Sequence, residues 1–322
     1  MPVLMRCLGA VLAALACALA YAQAYPAKPV RVIIPYPTGG GAEGAARLAA
    51  NHLSKALGQS FVIDPRPGGN TVIGTEAAAK AAPDGYTLLV TGGSTMSLQP
   101  FVFAGKLPFD PLADFAPIGM VSRFPFFLVV PASLGAGSYR EFVDLVKAKP
   151  GQFSYGSNGT GNLSHLGTEM LKVAAGLDLV HVPYKGFSPM LPDLLTGRIV
   201  ATLADVAPVA EQVRAGKLRI LATTGTARSP FAPEAPPLAE LGNPGYDLEV
   251  WFALYAPAKT PPELVARLSD ELRRYLSGTD AKEAFARLGH DTYPSGPEEV
   301  RNRIVAEHRQ FAIAVKAARL RD

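Results

Sequence analysis

Cysteine is almost absent from this chain: Cys7 and Cys17 are the two, both inside the first 20 residues. If that segment is removed, the remainder has no disulfide, no thiolate metal site and no cysteine nucleophile. Five histidines occur, His52, His165, His181, His290 and His308, and none shows H-E-x-x-H or other paired ligand spacing, so no metal and no cofactor is expected. There is no G-x-S-x-G and therefore no nucleophile elbow. Charge of one sign is nowhere concentrated: 31 Lys and Arg stand against 27 Asp and Glu, dispersed along the chain. A nucleic-acid partner is disfavoured for want of a basic stripe. Beyond the N-terminus no run is long and apolar enough to cross a membrane. The mildly basic balance is compatible with an anionic solute.

The first 24 residues read as an export signal. Met1–Arg6 carries one positive charge, Cys7–Ala20 is an almost unbroken apolar run, and Ala22-Gln23-Ala24 is a small-x-small cleavage pattern. The run is too short to span a hydrocarbon core of ~30 Å, which disfavours a membrane anchor. Lipidation at Cys17 is disfavoured by Ala14, three residues before it, where Leu is preferred. Cleavage after Ala24 would leave a periplasmic chain beginning at Tyr25. Loss of Arg6 takes Lys and Arg from 31 to 30 against 27 acids, a formal +3.

From Tyr25 onward, strand and helix patterns alternate. Val30–Ile34 is a β-branched strand, Ala42–Leu57 an amphipathic helix stopped by Gly58, Phe61–Ile63 a strand, Thr71–Ala81 an Ala-rich helix and Tyr86–Thr91 a strand. The same alternation continues from Phe126 to Ala222. Trp251–Tyr255 is a last strand before two or three helices running to about Leu320. This pattern predicts an α/β protein with mainly parallel sheets flanked by helices. The length predicts two lobes. Residues 25–124 and 249–322 would form lobe one and residues 125–248 lobe two. The chain would cross near Phe124–Pro125 and Glu249–Trp251, and Trp251 is expected in core or hinge packing.

Three strand ends carry similar turns: Pro35-Tyr36-Pro37-Thr38-Gly39-Gly40-Gly41, Thr91-Gly92-Gly93-Ser94-Thr95-Met96 and Ser157-Asn158-Gly159-Thr160-Gly161-Asn162. Ligands of open parallel sheets bind beyond the carboxyl ends of strands. Glycine admits close backbone approach, and a helix N-terminus favours an anion. The alternative is that these turns only connect elements. Gly39-x-Gly41-x-x-Gly44 also satisfies a dinucleotide fingerprint, with Asp64 where a ribose-binding acid would stand. Against it, Pro35 and Pro37 separate strand from glycines, and an exported protein meets little dinucleotide. His165, early in the third turn's helix, could donate to a carboxylate or brace the loop. Asp205, ending an apolar strand, could face the cleft or cap the next helix.

The chain resembles the Bug-type receptors, relatives of the binding component of tripartite tricarboxylate transporters. The resemblance rests on Tyr25–Val30, Pro35–Gly41, Ala82–Leu89, His181–Gly186, Ala215–Arg219 and Trp251–Pro257. It implies a two-lobe Venus-flytrap protein that is not an enzyme. It implies a small mono-, di- or tricarboxylate ligand, aromatic ones included. Carried over by position, the ligand-binding residues are Tyr36, Thr38, Gly39, Gly40, Ser94, Thr95, Ser157, Asn158, Gly159, Thr160, His165 and Asp205. The partners implied are membrane transporter subunits, or alternatively a membrane sensor kinase, and the expected state is a monomer. Two positions depart from the family pattern. Ala42-Glu43 stand where Thr-Asp is usual, and Val206 stands where Asn is usual. Both bear on the particular ligand more than on its class.

Overall fold

The computed structural model describes residues 25–318 and Leu320. The expected export signal, with Cys7, Cys17 and the Ala22–Ala24 site, lies outside the described residues. In chain order the strands are β1 Val30–Ile34, β2 Phe61–Pro65, β3 Thr87–Gly92, β4 Phe115–Pro125, β5 Phe127–Pro131, β6 Phe153–Ser157, β7 Leu179–Pro183, β8 Ala201–Ala204, β9 Leu218–Thr223, β10 Glu249–Pro257 and β11 Asp291–Thr292. They build two sheets, one of six strands in the order β11-β4-β10-β3-β1-β2 and one of five in the order β7-β6-β8-β5-β9. The architecture is α/β with two lobes, as the alternation implies.

Each sheet is mixed rather than mainly parallel, because the strands that pass between the lobes pair antiparallel with their neighbours. β2, β1 and β3 are parallel, as are β7, β6 and β8. The strands that carry the chain between lobes pair antiparallel: β10 with β3 and β4, and β5 with β8 and β9. β4 and β5 lie almost end to end, broken only at Phe126, so one extended stretch serves both sheets.

The sequence pattern does not reveal β4, the longest strand, because Pro117, Gly119 and Pro125 interrupt it. Register shifts between Phe252 and Ala253 and between Leu254 and Tyr255 absorb these irregularities. A Cβ on Gly119 would sit 2.8 Å from the Ser295 carbonyl oxygen, so the strand passes too close to that loop for any side chain.

The Gly41–Leu57 helix buries Ala42, Ala45, Ala46, Ala49, Ala50 and Leu53, small residues that let it lie close on the sheet. Gly58 ends it in the left-handed conformation at φ 74°. The helices Pro262–Ser277 and Pro297–Ala317 pack against β4. Leu268, Leu272 and Leu276 are buried there, each contributing about 1.5–3 kcal/mol.

The crossing strands have two unlike faces, because side chains alternate along them. One face carries an aromatic row. Tyr36 meets Phe252 at 5.6 Å, Phe252 meets Phe124 at 5.8 Å, and Phe124 stacks on His290 at 3.9 Å. On the other face Arg303 bridges Glu249 at 2.8 Å and Glu307 at 2.9 Å, and the fully buried Trp251 donates from Nε1 to Glu307 at 2.7 Å. A pocket of about 410 Å³ opens on this charged face, lined among others by Arg123, Asp247, Glu249 and Arg303.

Candidate functional site

The turns that follow β1 and β2 in one lobe meet the turns that follow β6, β7 and β8 in the other. Asn70 Nδ2 donates to the Thr160 carbonyl oxygen at 2.7 Å. A Cβ on Gly41 would meet Asp205 at 3.1 Å, and one on Gly186 would meet Pro37 at 3.9 Å. The first and third glycine turns and Asp205 therefore lie at the junction of the two lobes, and Tyr36 ties the second turn to the first.

In the first turn Thr38, Gly39 and Gly40 are exposed. A Cβ on Gly39 or Gly40 would meet nothing within 4 Å, so this backbone borders open space. The turn already holds a carboxylate of its own. Gly39 N–H donates to Glu43 Oε2 at 2.7 Å, and Arg47 Nε donates to Glu43 Oε1 at 2.8 Å. The Gly39 amide, and after it Arg47, hold the buried Glu43 carboxyl below the usual range. Glu43 thus sets a negative charge in the first turn of the helix, against a dinucleotide pyrophosphate. Asp64, the ribose-binding candidate, is engaged by Arg66 at 2.8 Å and Arg31 at 3.9 Å. The dinucleotide reading loses both of its anchors.

The second turn runs into a single π-helical turn, Ser94–Leu98, a form often found at functional sites. Ser94 is half-buried and Thr95 fully buried. A chain of hydroxyls ties this turn to the first: Tyr36 to Thr91 at 3.1 Å, Tyr36 to Thr95 at 3.5 Å, and Thr95 to Thr71 at 2.8 Å. Burial raises the Tyr36 hydroxyl above its ordinary pKa, keeping it neutral.

A fourth turn, which follows β2, joins the site. Asn70 and Thr71, after Gly68-Gly69, both have left-handed backbones, φ 52° and 78°. For a β-branched residue such as Thr71 this costs about 1–3 kcal/mol. The conformation is held by Gln99 Nε2, which donates to the Asn70 carbonyl and to Thr71 Oγ1. The Gly-Gly-Asn run was the available signal, since these residues tolerate left-handed turns.

The third turn is neutral and internally braced. Asn162 caps the Leu163–Ala175 helix, its Oδ1 accepting from His165 N–H at 3.1 Å and from Ser164 Oγ at 2.8 Å. Asn158 N–H donates to Ser164 Oγ at 3.0 Å, and Gly161 N–H to His165 Nδ1 at 3.0 Å. Ser157 is buried, with its Oγ 2.7 Å from His181 Nε2, and it donates to the Gly159 carbonyl at 3.1 Å. His165 stacks on His181 at 3.8 Å. Burial pushes both imidazoles down to about 4, so both are neutral at physiological pH. His165 Nδ1 is therefore spent on the loop itself. Thr160 is exposed, its hydroxyl outside this network, and Asn158 Oδ1 is buried without a partner. No Arg or Lys stands within residues 157–162.

Asp205 follows β8 and is half-buried at the cleft, where burial pushes its carboxyl up to about 7. Opposite it stands His290, which sequence spacing gave no reason to select. The Cβ position of Gly41 lies 2.8 Å from His290 Nε2 and 3.1 Å from Asp205 Oδ2, so those two atoms are at most 5.9 Å apart (2.8 plus 3.1). His290 Nδ1 sits 3.2 Å from Ser122 Oγ, while Nε2 is buried without a partner. Burial pushes this imidazole down to about 3. The pair comes from two lobes and distant segments, which is why linear spacing conceals it.

The family model for tripartite tricarboxylate transporter family receptors matches residues 45–317. Protein BugT of Bordetella pertussis is 35% identical over 295 residues, covering 92% of this chain and 90% of BugT. Among solved structures, R. palustris Rpa4515 with adipate superposes with a TM-score of 0.87 at 32% identity, covering 91% of this chain and 98% of that one. MatC from Rhodopseudomonas palustris with bound malate superposes with a TM-score of 0.82 at 26% identity, covering 90% and 100%.

Proposed function

This chain belongs to the tripartite tricarboxylate transporter receptor family, whose members are solute-binding proteins rather than enzymes, and on that premise we propose that it captures a small carboxylate between its lobes and presents it to membrane transporter subunits. A ligand carboxylate sits at the N-terminus of the Leu163 helix. It takes hydrogen bonds from the Thr160 hydroxyl and from turn amides not spent on Ser157, Ser164 and His165. Recognition rests on neutral donors and the helix dipole. The Gly39–Gly40 backbone approaches from lobe one.

The observation that carries this reading is the contrast at the two helix N-termini. The one in lobe one carries the ionised Glu43 in its first turn, and the one in lobe two is capped by neutral Asn162 with Thr160 exposed beside it. A ligand end that is uncharged or carries a hydroxyl suits the other wall, where Asp205 is pushed toward its neutral form. The bound adipate and malate of the two relatives support the carboxylate class.

Export removes residues 1–24. The intact mass of the periplasmic protein is expected to start at Tyr25, and a lipidated, membrane-held product would refute this. The binding test is a thermal-shift screen of aliphatic and aromatic mono-, di- and tricarboxylates, followed by calorimetry of each hit beside its amide. A free acid that binds at least tenfold tighter than its amide is expected. Equal affinity for both would refute a carboxylate site.

A further inference from the structure

Lobe one grips the third glycine turn at two points. Asn70 Nδ2 donates to the Thr160 carbonyl at 2.7 Å, and a Cβ on Gly159 would stand 3.2 Å from Asn70 Oδ1. On the other side, a Cβ on Gly161 would lie 2.6 Å from Val102 Cγ1 and 3.4 Å from Phe103 Cζ. Gly159 and Gly161 thus let the turn enter a socket of Asn70, Val102 and Phe103 that larger residues would hold open. Asn70 is aimed by its own backbone. Its φ of 52° is held through Gln99, which donates to the Asn70 carbonyl, and through the adjoining Thr71–Thr95 hydroxyl bond. Two consecutive non-glycine residues in the left-handed region mark a turn whose geometry is maintained against local preference, as positioned functional groups often require.

We infer that the Gly68–Thr71 turn is a clasp, and that Asn70 is the positioning residue that holds the two lobes closed over the cleft by bonding the Thr160 carbonyl. The bond is made to the same turn whose Thr160 hydroxyl faces the proposed ligand, so its role in slowing ligand release rests on the proposed function. Its effect on lobe closure does not. The clasp stabilises the closed form by contacts absent from the open one, which is the requirement for shifting a two-state equilibrium.

The chain from Tyr25 onward has no cysteine, so labels can be placed cleanly. Lys55→Cys and Lys147→Cys put a spin-label pair on exposed positions of the two lobes. In this background Asn70→Gly keeps the left-handed turn and removes the side chain. Asn70→Asp keeps the shape, but its carboxylate repels the Thr160 carbonyl. Both are expected to lengthen the interlobe distance distribution of the unliganded protein while retaining a cooperative melt. With adipate and malate as probes, both are expected to speed dissociation about tenfold with little change in association. An unchanged distance distribution in both variants, or Asn70→Asp behaving as wild type, overturns the clasp. If neither probe binds wild type, the carboxylate reading is what suffers, and the unliganded distances still decide the clasp.

Discussion

Two turns that look alike in sequence, Pro37–Gly41 and Ser157–Asn162, do opposite things with the helix N-terminus behind them. The first satisfies its Gly39 amide with Glu43, an ionised side chain of its own helix, steadied by Arg47. The second uses only neutral groups, Asn162, Ser164 and His165, and leaves the Thr160 hydroxyl exposed. A glycine-rich strand–helix turn is therefore not an anion site by pattern alone. What decides is the charge the chain itself sets in the first turn. The carboxyls of the two walls follow the same division: Glu43 is held below the usual carboxylate range, Asp205 is pushed up to about 7.

The sharpest way to break this contrast is to give the third turn the charge the first one has. Thr160→Asp is expected to weaken carboxylate binding by on the order of a hundredfold, about 2.7 kcal/mol. Calorimetry with whichever acid the screen identifies would read it. Binding as tight as wild type would place the ligand carboxylate elsewhere.

The second test acts on the wall carboxyls through pH. A carboxyl whose folded pKa is raised favours folding while it is protonated. That advantage is lost as pH rises from its unfolded pKa near 4 to its folded pKa near 7. Asp205→Asn is therefore expected to gain melting temperature over wild type as pH goes from 5 to 8, by on the order of a few degrees. A pH-independent difference would mean Asp205 is not desolvated. The histidines act with the opposite sense. His165 and His181, pushed down to about 4, favour folding above pH 6.5, and that contribution is lost as pH falls from there toward 4.

The smallest effect belongs to the first turn. Glu43→Gln is expected to lower stability by about 1 kcal/mol, since Arg47 is largely solvated. Affinity should change by less than about threefold. A large loss of affinity in this variant would show that loop one, not loop three, sets the anion site.

Much of the fold was legible because hydrophobic period and turn residues are local. The alternation from Val30 to Thr223 needs no partner to be seen, and Gly58 and Gly176 stop their helices where the pattern ends. β4 was hidden because Pro117 and Gly119 violate strand preference, and bulges against β10 accommodate them. In the site, Thr160 and His165 stood in a visible motif, but the role of His165 did not. Only the fold shows its Nδ1 accepting from Gly161 and its ring stacked on His181.

By itself the sequence determined the α/β class, the cysteine-free body, the three glycine turns and the family resemblance, because each is written in short-range pattern or composition. Tertiary structure decided the rest. It bonded Glu43 to the Gly39 amide, set His290 beside Asp205, and aimed Asn70 at Thr160 from a segment 90 residues away. Burial and long-range proximity fix which polar groups are already satisfied and which remain open to a ligand. Neither is a property of any local stretch of chain.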